Sequence, residues 1–170
     1  MIMRPANSTM RPRNGRGQRG AFLLEALVAL LIMAFGILGI VGLQAQSMRV
    51  TNDSEYRAEA VYLANSLIGK IWTDSPPGVA GPAAWIAAVT ANYDSSKGGA
   101  GYVAFQDAIV TAQLPGVVKG TTNDPIVKFD GAKPGLSTNS VYVTITVFWQ
   151  LPGEKTPHQY VTSAVIGLNT

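Results

Sequence analysis

The 170-residue chain contains no cysteine and one histidine. Disulfides, thiolate nucleophiles and cysteine metal sites are therefore excluded, and the redox character of its compartment is left open. Acidic residues are missing from the first 19 positions, which hold five of the 13 basic residues: Arg4, Arg11, Arg13, Arg16 and Arg19. From residue 21 onward, eight basic residues face ten acidic ones. The formal charge of +3 thus belongs to a short N-terminal leader. It is not read as the footprint of nucleic-acid binding. The length suits one domain plus an anchor.

Residues 21–43 lack lysine, arginine and proline, and Glu25 is their one strongly polar side chain. As a helix they would span roughly 34 Å at about 1.5 Å per residue, enough for a hydrocarbon core about 30 Å thick. Basic residues before the run and sparse charge after it place its N-terminus in the cytoplasm and the remainder of the chain outside. A secretory signal cut near Ala45 would have a shorter core, about 7–15 residues, and a better end than Leu43-Gln44-Ala45. An uncut single-pass anchor explains the length and the arginines. It does not explain Glu25, because an acid at mid-bilayer costs about 2.5–3.5 kcal/mol, although one near the cytoplasmic end reaches the headgroups more cheaply.

The segment Gly20-Ala21-Phe22-Leu23-Leu24-Glu25, running directly into the apolar stretch, resembles the processing motif of type IV prepilins and of the pseudopilins of type II secretion. The resemblance implies cleavage between Gly20 and Ala21 by a membrane prepilin peptidase, then N-methylation of Ala21. The family usually has a large apolar residue such as phenylalanine where this chain has Ala21. A basic leader would hold the site at the anionic inner leaflet, and glycine lets the backbone extend into a protease cleft. In a filament, Glu25 of one subunit would pair with the Ala21 amine of a neighbour, removing two unpaired charges and setting the register.

Helical character continues beyond the apolar run. Residues 44–73 hold no proline and one glycine, Gly69. Ala60, Leu63, Ala64, Leu67, Ile68, Ile71 and Trp72 recur at helical spacing. Arg49, Asp53 and Arg57 read as a solvated face. Pro76-Pro77-Gly78 predicts the stop. Gly36, Gly39 and Gly42 read either as ordinary small-residue packing or as a point where the helix can stretch within a filament. Many major pilins carry a proline in that region and this chain has none.

The expected organisation is a cleaved leader (1–20), a transmembrane and filament-core helix (21–43), its amphipathic continuation (44–74) and an exported head (75–170). In the head, residues 82–89 read as a short helix opened by Pro82. Residues 95–101 read as a flexible loop. Residues 102–113 are ambiguous with helix favoured, stopped by Leu114-Pro115-Gly116. Strands are predicted over 125–129, 140–150 and 159–166. The alternation of Val141, Val143, Ile145, Val147 and Trp149 on one face is the clearest. The fold class is α+β and pilin-like: a long N-terminal helix packed on a small antiparallel sheet.

No catalytic, metal or cofactor site is expected, and no enzymatic activity. His158 reads as an isolated surface or edge histidine. Asp124, Asp130 and Glu154 lack the density of a calcium loop. Gly98-Gly99-Ala100-Gly101 lacks phosphate-loop spacing. Trp72, Trp85 and Trp149 are expected in the core. Within the prepilin group, the segments 25–32, 57–65, 114–116 and 141–149 resemble minor pilins of the PilV kind. That resemblance implies a minor subunit of a type IV pilus, active in assembly or priming and in adhesion, motility or DNA uptake. Its implied partners are the prepilin peptidase, the major pilin and other minor pilins, the inner-membrane assembly platform and the lipid bilayer. A minor pseudopilin of type II secretion, or an uncut membrane-tethered binding domain, fits the same composition.

Overall fold

The computed structural model describes residues 18–74, 79–121, 123–131 and 134–167. The leader arginines Arg4, Arg11, Arg13 and Arg16 and the predicted stop at Pro76, Pro77 and Gly78 lie outside the described residues. Among the described residues, three helices precede three strands: α1 (Gln18–Thr73), α2 (Pro82–Tyr93), α3 (Ala100–Thr111), β1 (Ile126–Asp130), β2 (Ser140–Trp149) and β3 (His158–Gly167). The sheet is antiparallel, in the order β1-β2-β3. The chain forms two compact units, Met1–Arg49 and Val50–Thr170. α1 contributes to both, and its final turns pack on the sheet, which is the expected α+β arrangement.

Within the second unit the core is built from two periodicities. Ala60, Leu63, Ala64, Leu67 and Ile71 line one face of α1 at i, i+3, i+4 spacing and are buried. Val141, Val143, Ile145, Val147 and Trp149 alternate along β2 and are buried as well. Each period presents one apolar side, so helix and strand bury each other. Trp72 departs from expectation: it is 46% exposed. It follows Ile71 by one residue, which turns it about 100° away from the buried stripe.

α2 runs four residues past its predicted end. Trp85, Val89 and Tyr93 are spaced four apart and all buried, so the packing continues through Thr90-Ala91-Asn92, where no proline or glycine interrupts it. Asp74, just beyond α1, ties the two helices. Its main-chain oxygen accepts from Trp85 Nε1 at 2.8 Å and its carboxylate from Asn92 Nδ2 at 3.1 Å. Burial, followed by the Asp74 hydrogen bond and charge, pushes the Tyr93 hydroxyl up to about 12.

The predicted flexible loop is instead a fitted turn. Gly101 N–H donates to Asn92 Oδ1 at 2.8 Å. A Cβ on Gly99 would collide with the main chain of Ala91 and Asn92, and one on Gly101 with the Tyr93 ring. α3 therefore begins at Ala100, and it buries Tyr102, Phe105 and Ile109. Leu114-Pro115-Gly116 also has a packing role. Pro115 O accepts from Gln150 N–H at 2.7 Å, and Gly116 O from Asn123 Nδ2 at 3.0 Å.

Asp94 closes the outer edge of β1. Burial alone would raise its pKa. The Ser96 hydroxyl and N–H, the Phe129 N–H and the Lys97 charge outweigh that and hold the carboxyl below its ordinary range. A carboxylate with a depressed folded-state pKa stabilises the fold above its unfolded-state pKa; that contribution is lost as pH falls through the lower folded value. Unfolding by denaturant, followed by tryptophan fluorescence, should therefore show stability declining below about pH 4. Asp94→Asn should be less stable at neutral pH and should lose less on acidification.

Candidate functional site

The chemistry of the first unit lies in its surface. Phe22, Leu23, Leu24, Leu27, Leu30 and Leu31 are all exposed, and large apolar side chains remain exposed on every side of the helix as far as Leu43. An amphipathic helix of a water-soluble fold shows one apolar stripe; a helix apolar all round belongs in lipid or inside a helix bundle. By length and composition α1 contains one segment able to cross a membrane.

Gly20 and Ala21 are helical and lie near the N-terminal limit of the described part of α1. Gly20 is helical here, and nothing approaches within 4 Å of where a Cβ would sit. Glycine weakens a helix by about 1 kcal/mol relative to alanine. Glu25 is exposed one turn further on, and it is the single charged residue from 21 to 48. The α-helix continues unbroken through Gly36, Gly39 and Gly42, each with open space where a side chain would be.

The second unit contains a side-chain cluster that the sequence did not reveal. Asp53 Oδ1 accepts from Trp149 Nε1 at 2.9 Å and lies 3.3 Å from His158 Nδ1. His158 Nε2 is 2.6 Å from Glu154 Oε2. The imidazole stacks on the Trp149 ring, with centroids 5.6 Å apart and planes inclined by 24°. His158 is the first residue of β3, and it bridges two carboxylates rather than standing isolated. Asp53 is likewise not simply part of a solvated face, because it fastens α1 to the end of β2. The Glu154-to-His158 spacing is a local signal for half of this cluster. The Trp149–Asp53 bond joins residues 96 apart and has none.

A small groove of ≈70 Å³ lies between α1 and α3, lined by Leu63, Leu67, Phe105 and Ala108 with Ser66 and Lys70. Small-molecule sites usually enclose about 300–1,000 Å³. The arrangement fits a packing defect better than a cofactor cleft.

No family profile, curated protein or solved structure matches the chain.

Asp53→Ala removes the acceptor of a buried indole N–H, a change that typically costs about 1–3 kcal/mol. The full chain in detergent micelles should show a matching drop in denaturant midpoint and altered Trp149 fluorescence. Asp53→Asn, which keeps an acceptor oxygen, should recover most of the loss.

Proposed function

We propose that the chain is a prepilin that becomes a minor subunit of a type IV pilus. The observation that carries this reading is a helix with apolar residues exposed on all sides, a single carboxylate near its start and a glycine five residues before that carboxylate. A plain anchor has no use for the acid. A stem that leaves lipid to bundle with similar stems does, because a carboxylate and a new α-amine bring opposite charges together in an apolar interior.

In this reading the peptidase cuts between Gly20 and Ala21 on the cytoplasmic side, and Ala21 is methylated. The processed subunit waits in the inner membrane with its head in the periplasm. The assembly platform then moves it into the filament beside the major pilin and other minor pilins. Its contribution is structural rather than catalytic: priming or capping assembly, with adhesion, motility or DNA uptake following from the filament. The pseudopilus of type II secretion would use the same stem.

Two measurements test this. N-terminal sequencing of membrane-extracted protein should begin at Ala21, methylated; an intact leader would sink the reading and leave the uncut tether. Glu25→Ala should insert and be cut normally. Loss of one partner of a buried charge pair costs about 3–5 kcal/mol, enough to remove the variant from sheared surface filaments. Wild-type protein absent from such filaments, but present in a secretion pseudopilus, would reassign the subunit.

A further inference from the structure

The two edges of the sheet are finished differently. On the outer side of β1, Ser95 N–H and the Ser95 hydroxyl donate to Val127 O at 2.9 and 3.0 Å, and Phe129 N–H donates to Asp94 Oδ2 at 3.4 Å. That edge is closed. β3 forms the other edge and runs for 10 residues against 5 in β1. Among the described residues, no main-chain hydrogen bond beyond the β2 ladder involves β3. Residues 159–167 contain neither a charge nor a proline, the usual devices that stop an edge from pairing.

The core also stops short beneath this strand. Tyr160, Thr162 and Ala164 are half-buried, although their β2 partners Val147, Ile145 and Val143 are fully buried. On the opposite face Val161 and Val165 are each 50% exposed, with exposed Ser163 between them. One more strand would flank the exposed side chains on both faces and satisfy the row of main-chain donors and acceptors.

We propose that β3 pairs antiparallel with β3 of a second copy of this chain, about a two-fold axis through Ser163. The strand is self-complementary about that residue. Val161 then faces the partner's Val165 and Val165 the partner's Val161, Thr162 faces the partner's Ala164, and Tyr160 faces the partner's Ile166. Each opposed pair shares one face of the pleat, whereas a one-residue slip would set open-face side chains against core-face ones. Apolar cross-strand pairs of this kind stabilise a ladder, and no like charges meet. A single strand pair falls at the small end of interface sizes, so the dimer is a transient one. The proposal stands independently of the reading of the stem.

Because the chain has no cysteine, the register can be tested directly. In an antiparallel pair, opposed Cα atoms lie about 4.5–5.5 Å apart, within disulfide range. Residues 161 of the two copies would be offset by about 13 Å along the strand, beyond that range. Full-length Ser163→Cys protein, oxidised in membranes with copper phenanthroline, should give a homodimer at several times the yield of Val161→Cys or Val165→Cys alone. Co-expressed Val161→Cys and Val165→Cys chains should crosslink to each other. Adding Val161→Lys to Ser163→Cys should reduce the dimer several-fold. Absence of the Ser163→Cys dimer, equal yields at all three positions, or crosslinking to a chain of another mass in place of the dimer would overturn the proposal.

Discussion

A sheet of three strands can bury one face only if something covers it, and here the cover is the last turns of α1. Ala60, Ala64, Leu67 and Ile71 lie in one core with Val143, Ile145 and Val147. Alanines and larger aliphatic residues share that helix face, and the larger side chains fill the space between helix and sheet. Other features serve that contact. Asp74 fastens α2 to the end of α1, and Asp53 fastens the end of β2 to it. Asp94 and Ser95 hold the α2–α3 turn against β1.

The two units solve opposite solvent problems with one continuous helix. From Val50 onward, α1 turns one apolar stripe inward. Before that, apolar side chains face outward all round and Glu25 stands among them. The first pattern suits a folded head in water. The second is stable only in hydrocarbon or among other apolar helices. Those two surroundings are successive stations of one subunit in the proposed assembly route.

What could be read in the sequence was what repeats. The alternation in β2 and the helical spacing of residues 60–71 each signal a buried face over several residues, and both faces are buried as expected. Trp72 shows the limit of that reading, since one residue's rotation separates core from surface. Ser95 to Gly101 reads as a flexible linker because glycine and serine dominate it. Its order comes from contacts with Asn92, Tyr93 and β1 that composition does not encode. The His158 cluster was hidden for a similar reason: two of its members, Asp53 and Trp149, meet only after the helix has docked on the sheet. The Gly20-to-Glu25 resemblance rests on contiguous residues alone, and the fold adds to it the exposed apolar helix that follows.

The order of elements along the chain sets a schedule for folding. Residues emerge from the ribosome from the N-terminus, so the α1 stripe at residues 60–71 is made before β2, its cover, at residues 140–149. Until β2 is made, that stripe can be covered only from the side of α2 and α3, whose residues share the same core. Contacts between segments so distant form late and leave nascent chains prone to aggregate. The core of the head is therefore closed last, by strands made long after the helical side they cover.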